Sequence, residues 1–80
     1  MRGGLRVLSG REVVRILETF GFAVVGGAKH VKMRRTGPNG IETLVIANHD
    51  PIGKGLLRTI FIQASAYIPQ AELRPLFYNE

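Results

Sequence analysis

The predicted sheet comes from one stretch, FAVVGGAKHVKMRRTGPNGIETLVIA, residues 22–47, which holds three strand-like runs separated by two turn-forming clusters. Residues 22–25 and 30–35 flank Gly26-Gly27, a pair that favours a tight turn, so these two runs predict a β-hairpin. The cluster TGPNG follows, and the run after it predicts a third strand over residues 41–47. Three strands in succession favour an antiparallel meander.

A helix is predicted on the N-terminal side of this stretch. Ser9 and Glu12 have the spacing of a capping box, so the helix should begin at Gly10, and Gly21 should end it. On a helical wheel the apolar residues form one stripe. The members of that stripe are Val13, Ile16, Leu17 and Phe20, with Val14 at its edge.

A second amphipathic helix is predicted on the C-terminal side, from about residue 55 to 67, with Ile62 among its polar residues. Residues 69–74 could add a helical turn that opens at Pro69, until Pro75 interrupts it. The order α-β-β-β-α predicts an α+β fold in which both helices cover one face of a three-stranded antiparallel sheet and leave the other face free.

Length and composition limit the possible classes of protein. Eighty residues make a single domain, 1–80, and 45% hydrophobic against 21% charged residues indicates a globular chain. There is no apolar run long enough for a membrane span, no signal-peptide pattern and no cysteine for disulfide or thiolate chemistry. We therefore expect a cytoplasmic protein with no membrane partner.

The charge is unevenly distributed along the chain. Eleven Lys and Arg against six Asp and Glu give a net charge of +5, and eight of the eleven cations fall within residues 2–35. Such asymmetry favours a polyanionic partner, because cations that neutralise phosphates release condensed counterions. The alternative, equally compatible with charge alone, is a small basic protein whose charge only keeps it in solution.

The second predicted strand carries a histidine among cations. The two-residue period of a strand separates Val31 and Met33 from His30, Lys32 and Arg34. With the apolar pair facing the helices, an imidazole and two cations would line the free face, an arrangement suited to proton transfer beside a phosphate. The alternative from the residues alone is a surface strand with a solvated histidine.

Two long segments, LSGREVVRILETFGFAVVGGAKHVKMRR and GKGLLRTIFIQA, resemble the HicA (YcfA-like) family of toxins from type II toxin–antitoxin systems. The resemblance covers nearly the whole chain. It implies a double-stranded-RNA-binding-domain-like fold and a metal-independent endoribonuclease that cleaves mRNA and uses no cofactor. It also implies that His30 is the essential residue and that the partner is a cognate HicB-like antitoxin. Many family members carry Gly-Ser where this chain has Gly27-Ala28.

RNA cleavage without a metal needs a base, an acid and cations that stabilise the developing charge. We expect His30 to be the catalytic residue, with a second proton role for His49, a lysine or water. The expected RNA-binding residues are Gly27, Lys29, Lys32, Arg34 and Arg35. No metal site is expected, because two histidines without cysteine fall short of a usual ligand set.

The alternative function is a non-catalytic module that binds double-stranded RNA. Such modules usually concentrate lysines at the start of the final helix, and here only Lys54 and Arg58 are available, which argues against it. A third class, an interaction protein, rests on Ile62 alone, which could contact the antitoxin.

Overall fold

Three helices and three strands follow one another in the computed structural model, which describes residues 4–79. The ends of the predicted domain 1–80, residues 1–3 and 80, lie outside the described residues. The elements are α1 (Gly10–Glu18), β1 (Ala23–Gly26), β2 (His30–Gly37), β3 (Gly40–Ala47), α2 (Lys54–Ala64) and α3 (Gln70–Phe77). The α+β class and the order α-β-β-β-α are confirmed. α3 is a further helix that follows these five elements. Within the described residues no helix is long and apolar enough to cross a membrane.

The strands form an open antiparallel sheet in the order β1-β2-β3. β2 and β3 pair in unbroken register from His30 opposite Ala47 to Gly37 opposite Gly40, so a two-residue turn joins them. Between β1 and β2 the register shifts after Val24, which leaves one extra residue in β1. Gly26, expected in the turn, instead belongs to β1, and residues 27–29 make the connection.

The capping box of α1 forms as predicted. The Ser9 hydroxyl accepts a hydrogen bond from the Glu12 backbone N–H at 3.1 Å, and the Glu12 carboxylate accepts one from the Ser9 N–H at 2.8 Å. The capping box therefore supplies partners for two of the four first-turn amides that a helix cannot satisfy internally, and the Gly10 N–H donates to the His49 carbonyl at 2.8 Å. At the other end Gly21 has φ of +93°, a conformation that glycine adopts without strain.

The core lies on one side of the sheet. Met33, Leu44 and Ile46 point from β2 and β3 into a cluster with apolar side chains of all three helices. The fully or almost fully buried helical members are Val13, Leu17, Leu57, Ile60, Phe61, Ala64, Leu73 and Phe77. The opposite face of the sheet stays exposed, with Ile41 and Val45 open to solvent. The predicted covering of a single face is confirmed.

The C-terminal helices differ from the prediction. α2 ends at Ala64, three residues before the expected end at 67, and Ile62 is exposed as expected. The prediction that Pro75 interrupts the last helix is wrong, because α3 continues through it to Phe77. Leu73 and Phe77 are completely buried, and the ring of Phe77 packs 5.5 Å from that of Phe61. This burial offsets the backbone hydrogen bond that proline cannot donate.

Arg35 joins the sheet to the segments around it. Its guanidinium donates to the Glu42 carboxylate at 2.7 Å, to the Phe20 carbonyl at 2.7 Å and to the Tyr67 carbonyl at 2.8 Å. It also lies 4.8 Å from the centre of the Phe22 ring. Arg35 thus lies on the helix side of the sheet, and each of its three guanidinium nitrogens donates one hydrogen bond there. Its expected role in RNA binding stays a prediction.

We expect Arg35→Lys to lower the free energy of unfolding by about 2 kcal/mol, because an ammonium cannot reach three acceptors in the geometry of a planar guanidinium. Urea unfolding followed by circular dichroism measures the change. Arg34→Lys is the matched control, since the neighbouring exposed arginine should change stability by less than about 0.5 kcal/mol. Equal losses in both variants would contradict the structural role of Arg35.

Candidate active site

Three polar side chains from alternate positions of β2 meet on the free face of the sheet. His30, Lys32 and Arg34 are all exposed, as the two-residue period predicted, whereas Met33 between them is completely buried. The three line a depression of about 360 Å³, which we call the histidine depression. Its other lining residues are Val25, Gly26 and Gly27.

The cations of this depression have no acidic neighbours across the sheet. Lys32 pairs with Val45 and Arg34 with Thr43, and directly opposite residues point to the same face. Neither cation takes part in the salt bridge that joins Arg35 to Glu42 on the other side of the sheet. The positive charges beside His30 are therefore available to an anion, and a phosphate is the anion that such a pair recognises well.

The loop before His30 is held in a fixed shape from two directions. Gly27 has φ of +91°, and a Cβ at this position would collide with the His30 carbonyl oxygen, so only glycine fits. Asn48 holds the loop from the end of β3: its backbone N–H donates to the Lys29 carbonyl at 2.8 Å and its side-chain amide to the Ala28 carbonyl at 3.1 Å. These contacts set where β2 begins and so where His30 points.

Sequence reasoning missed Asn48, because its partners lie about twenty residues earlier in the chain. The position of Asn48 beside the loop can be inferred only once the sheet register is known. His30 pairs with Ala47, which places the next residue of the chain beside the loop that precedes His30.

The remaining candidates lie apart from the histidine depression. Lys29 is exposed in the loop, but its side chain does not line the depression. His49 is also exposed and lines a different depression, together with Ser9, Arg11, Asn48 and Asp50. The structure thus brings Gly27, Lys32 and Arg34 together with His30, and it separates the two histidines.

The chemistry available at the depression is that of an imidazole, an ammonium and a guanidinium. An imidazole can take or give a proton near neutral pH, and fixed cations can stabilise negative charge that develops on a phosphate. In the part of the chain from residue 4 to 79, no three His, Cys, Asp or Glu side chains cluster closely enough to hold a metal ion.

Comparison with known families bears on this arrangement. A family model described as the HicA toxin of bacterial toxin–antitoxin matches residues 10–66, which include α1, the whole sheet, α2 and the histidine depression. No curated protein and no solved structure gives a significant match. Since the family model covers well over half of the 80 residues, the chain belongs to the HicA toxin family of bacterial toxin–antitoxin systems.

Proposed function

We propose that this protein is an endoribonuclease toxin that cleaves mRNA at the histidine depression. The reaction uses the protein's own side chains and neither a metal ion nor a cofactor. The observation that carries the proposal is the placement of His30, Lys32 and Arg34 on the one sheet face that the helices leave uncovered. Membership of the HicA toxin family supports it. The net charge of +5 favours a polyanionic substrate.

The proposed reaction is an internal transfer at the phosphodiester. His30 as base removes the proton of the ribose 2′-hydroxyl, and the 2′-oxygen attacks the adjacent phosphorus. The bond from phosphorus to the leaving 5′-oxygen breaks, and that oxygen takes a proton from Lys32 or from water. The products are a 2′,3′-cyclic phosphate and a free 5′-hydroxyl. Lys32 and Arg34 stabilise the negative charge that builds up on the phosphate oxygens.

The proposed partners follow from the same assignment. The substrate is mRNA in the cytoplasm, and a cognate HicB-like antitoxin restrains the toxin. Ile62 is 56% exposed on α2 and offers that antitoxin an apolar contact outside the depression. A single exposed apolar side chain is common on protein surfaces, so the proposed cleavage does not depend on it.

The competing function, binding of double-stranded RNA without cleavage, would use cations at the start of α2. Lys54 and Arg58 are exposed there. They lie outside the residues that line the histidine depression, so variants at the two places separate the functions.

We expect His30→Ala to lower single-turnover cleavage of mRNA by about 100-fold or more, because it removes the group that transfers the proton. The assay contains excess EDTA and identifies the product ends, for which we expect a 2′,3′-cyclic phosphate. His30 is exposed, so its replacement should change the free energy of unfolding by less than about 0.5 kcal/mol.

The matched control is His49→Ala, which replaces the other histidine in a separate depression and should retain cleavage. If His30→Ala loses cleavage because the variant unfolds, His30 has a structural role and the catalytic assignment is wrong. Cleavage by the wild type that disappears with EDTA and returns with a divalent ion would contradict the proposed mechanism.

Lys32→Ala should slow cleavage at saturating RNA by about tenfold or more, which corresponds to about 1.4 kcal/mol of transition-state stabilisation. Lys54→Ala removes the same charge at the start of α2 and should leave this rate unchanged. Single-turnover rates at several RNA concentrations separate the effect on rate from that on affinity. Weakened duplex RNA binding in Lys54→Ala, with no cleavage by the wild type, would favour the binding module.

A further inference from the structure

β3 forms one edge of the sheet, since the strand order is β1-β2-β3. The Asn48 N–H, which follows β3 in the same register, donates to the Lys29 carbonyl at 2.8 Å. Backbone groups of an antiparallel strand point alternately towards and away from the neighbouring strand, so the even-numbered residues of β3 face β2. The N–H and C=O groups of Ile41, Thr43 and Val45 therefore point outward from the sheet.

These outward groups form no hydrogen bond with the residues that the structure describes, 4–79. Ala47, the next outward residue, is different. A Cβ on Gly10 would collide with the Ala47 carbonyl oxygen, so α1 covers that end of the strand. The free edge therefore runs from residue 41 to residue 45.

The free edge lacks the features that usually keep an exposed strand from pairing, which are lysine, proline and β-bulges. β3 contains neither Lys nor Pro, and its register with β2 is unbroken. The opposite edge of the sheet, β1, has an irregularity after Val24. The only charged residue of β3 is Glu42, which Arg35 holds on the helix side. The free edge is thus regular, uncharged and open to another strand.

Apolar side chains border the free edge. Ile41 is 70% and Val45 is 45% exposed on the face that the helices leave uncovered. A depression of about 440 Å³ lies between β3, the end of α2 and the residues that follow it. Its lining residues are all uncharged: Thr43, Leu44, Val45, Gln63, Ala66 and Tyr67.

The outward residues of the free edge are self-complementary about Thr43. In an antiparallel pair of two copies centred there, Thr43 lies opposite the partner's Thr43, and Ile41 lies opposite the partner's Val45. Each such pair exchanges two N–H···O bonds, because its backbone groups point outward. Cross-strand pairs of β-branched side chains add to the stability of a sheet. A pairing shifted towards Ala47 would need the carbonyl that α1 covers.

We propose that two copies of this chain associate through residues 41–45 and form one antiparallel sheet from the three strands of each copy. The two-fold axis is perpendicular to the sheet, so opposite side chains stay on the same face. Both histidine depressions open to that face, and the two β2 strands lie three strand spacings apart, about 14 Å. The inference does not depend on RNA cleavage, since it uses the free edge alone.

A second copy suits the free edge better than an acidic segment of another protein. Such a segment would find no cation at the edge, because Lys32 and Arg34 lie one strand further in, on β2. A second copy presents the same uncharged, β-branched residues. The net charge of +5 on each copy opposes association, so added salt should strengthen the dimer, whereas it would weaken the binding of an acidic segment.

Amide hydrogen exchange of the wild-type protein tests the pairing directly. The N–H groups of Ile41, Thr43 and Val45 are free in a monomer, whereas that of Leu44 faces Met33 in either state. A small interface is weak, so we expect exchange at the three outward positions to slow between about 10 μM and about 1 mM protein. Sedimentation should show a dimer over the same range. A monomer at every concentration, or a dimer with fast exchange at these positions, would overturn the proposal.

Thr43→Lys tests the register of the dimer. Two lysines would face each other at the two-fold axis, and like charges directly opposite destabilise a strand pair. We expect the dissociation constant of the dimer to rise by about tenfold or more. Thr36→Lys is the matched control, because it adds the same charge to the same face on β2 and should change the constant by less than about threefold. Circular dichroism checks that both variants fold, and the exchange experiment needs neither.

Two further outcomes would overturn the proposal. Equal weakening of the dimer by the two lysine variants would show an effect of charge alone and contradict a pairing centred on Thr43. Slow exchange at residues 41, 43 and 45 that requires an Asp- and Glu-rich peptide, and that salt abolishes, would assign the free edge to an acidic segment instead.

Discussion

The two-residue period of β2, fixed by its pairing with β3, is the constraint on which the rest of the molecule depends. Met33 pairs with Leu44 and Arg35 with Glu42 on the helix side, so the residues between them must point to the free side. A slip of one residue would put His30 and its cations into the core and Met33 into water. Burial of Met33 and the Arg35–Glu42 salt bridge both oppose that slip, because each would have to be given up. The same pairing that builds the core therefore orients the proposed catalytic side chains.

Local patterns predicted the elements well, and long-range contacts account for the errors. Ser9 and Glu12 marked the start of α1, and alternation in β2 placed His30, Lys32 and Arg34 correctly. The same alternation puts Arg35 on the side of Met33, so a signal for its structural role was present in the sequence. Pro75 was misjudged because the packing of Phe77 on Phe61 joins distant parts of the chain.

The loop around Gly27 fixes where β2 begins and so where His30 lies. A glycine there avoids a collision with the His30 carbonyl, and Asn48 holds the neighbouring carbonyls of the loop. Because Gly27 lines the histidine depression, a change in this loop would alter the shape of that depression. Such rigid support is what a reaction by side chains requires, since proton transfer and charge stabilisation depend on preset geometry. The helices contribute by covering one face only, which leaves the other accessible to the proposed RNA substrate.

The central claim is that RNA is cleaved on the free face of the sheet, beside position 30. The most direct measurement is a crystal structure of His30→Ala bound to an RNA that the wild type cleaves. The account predicts that the uncleaved phosphodiester lies over β2 in contact with Lys32 and Arg34. An RNA bound along the start of α2 at Lys54 and Arg58, with β2 left free, would contradict it.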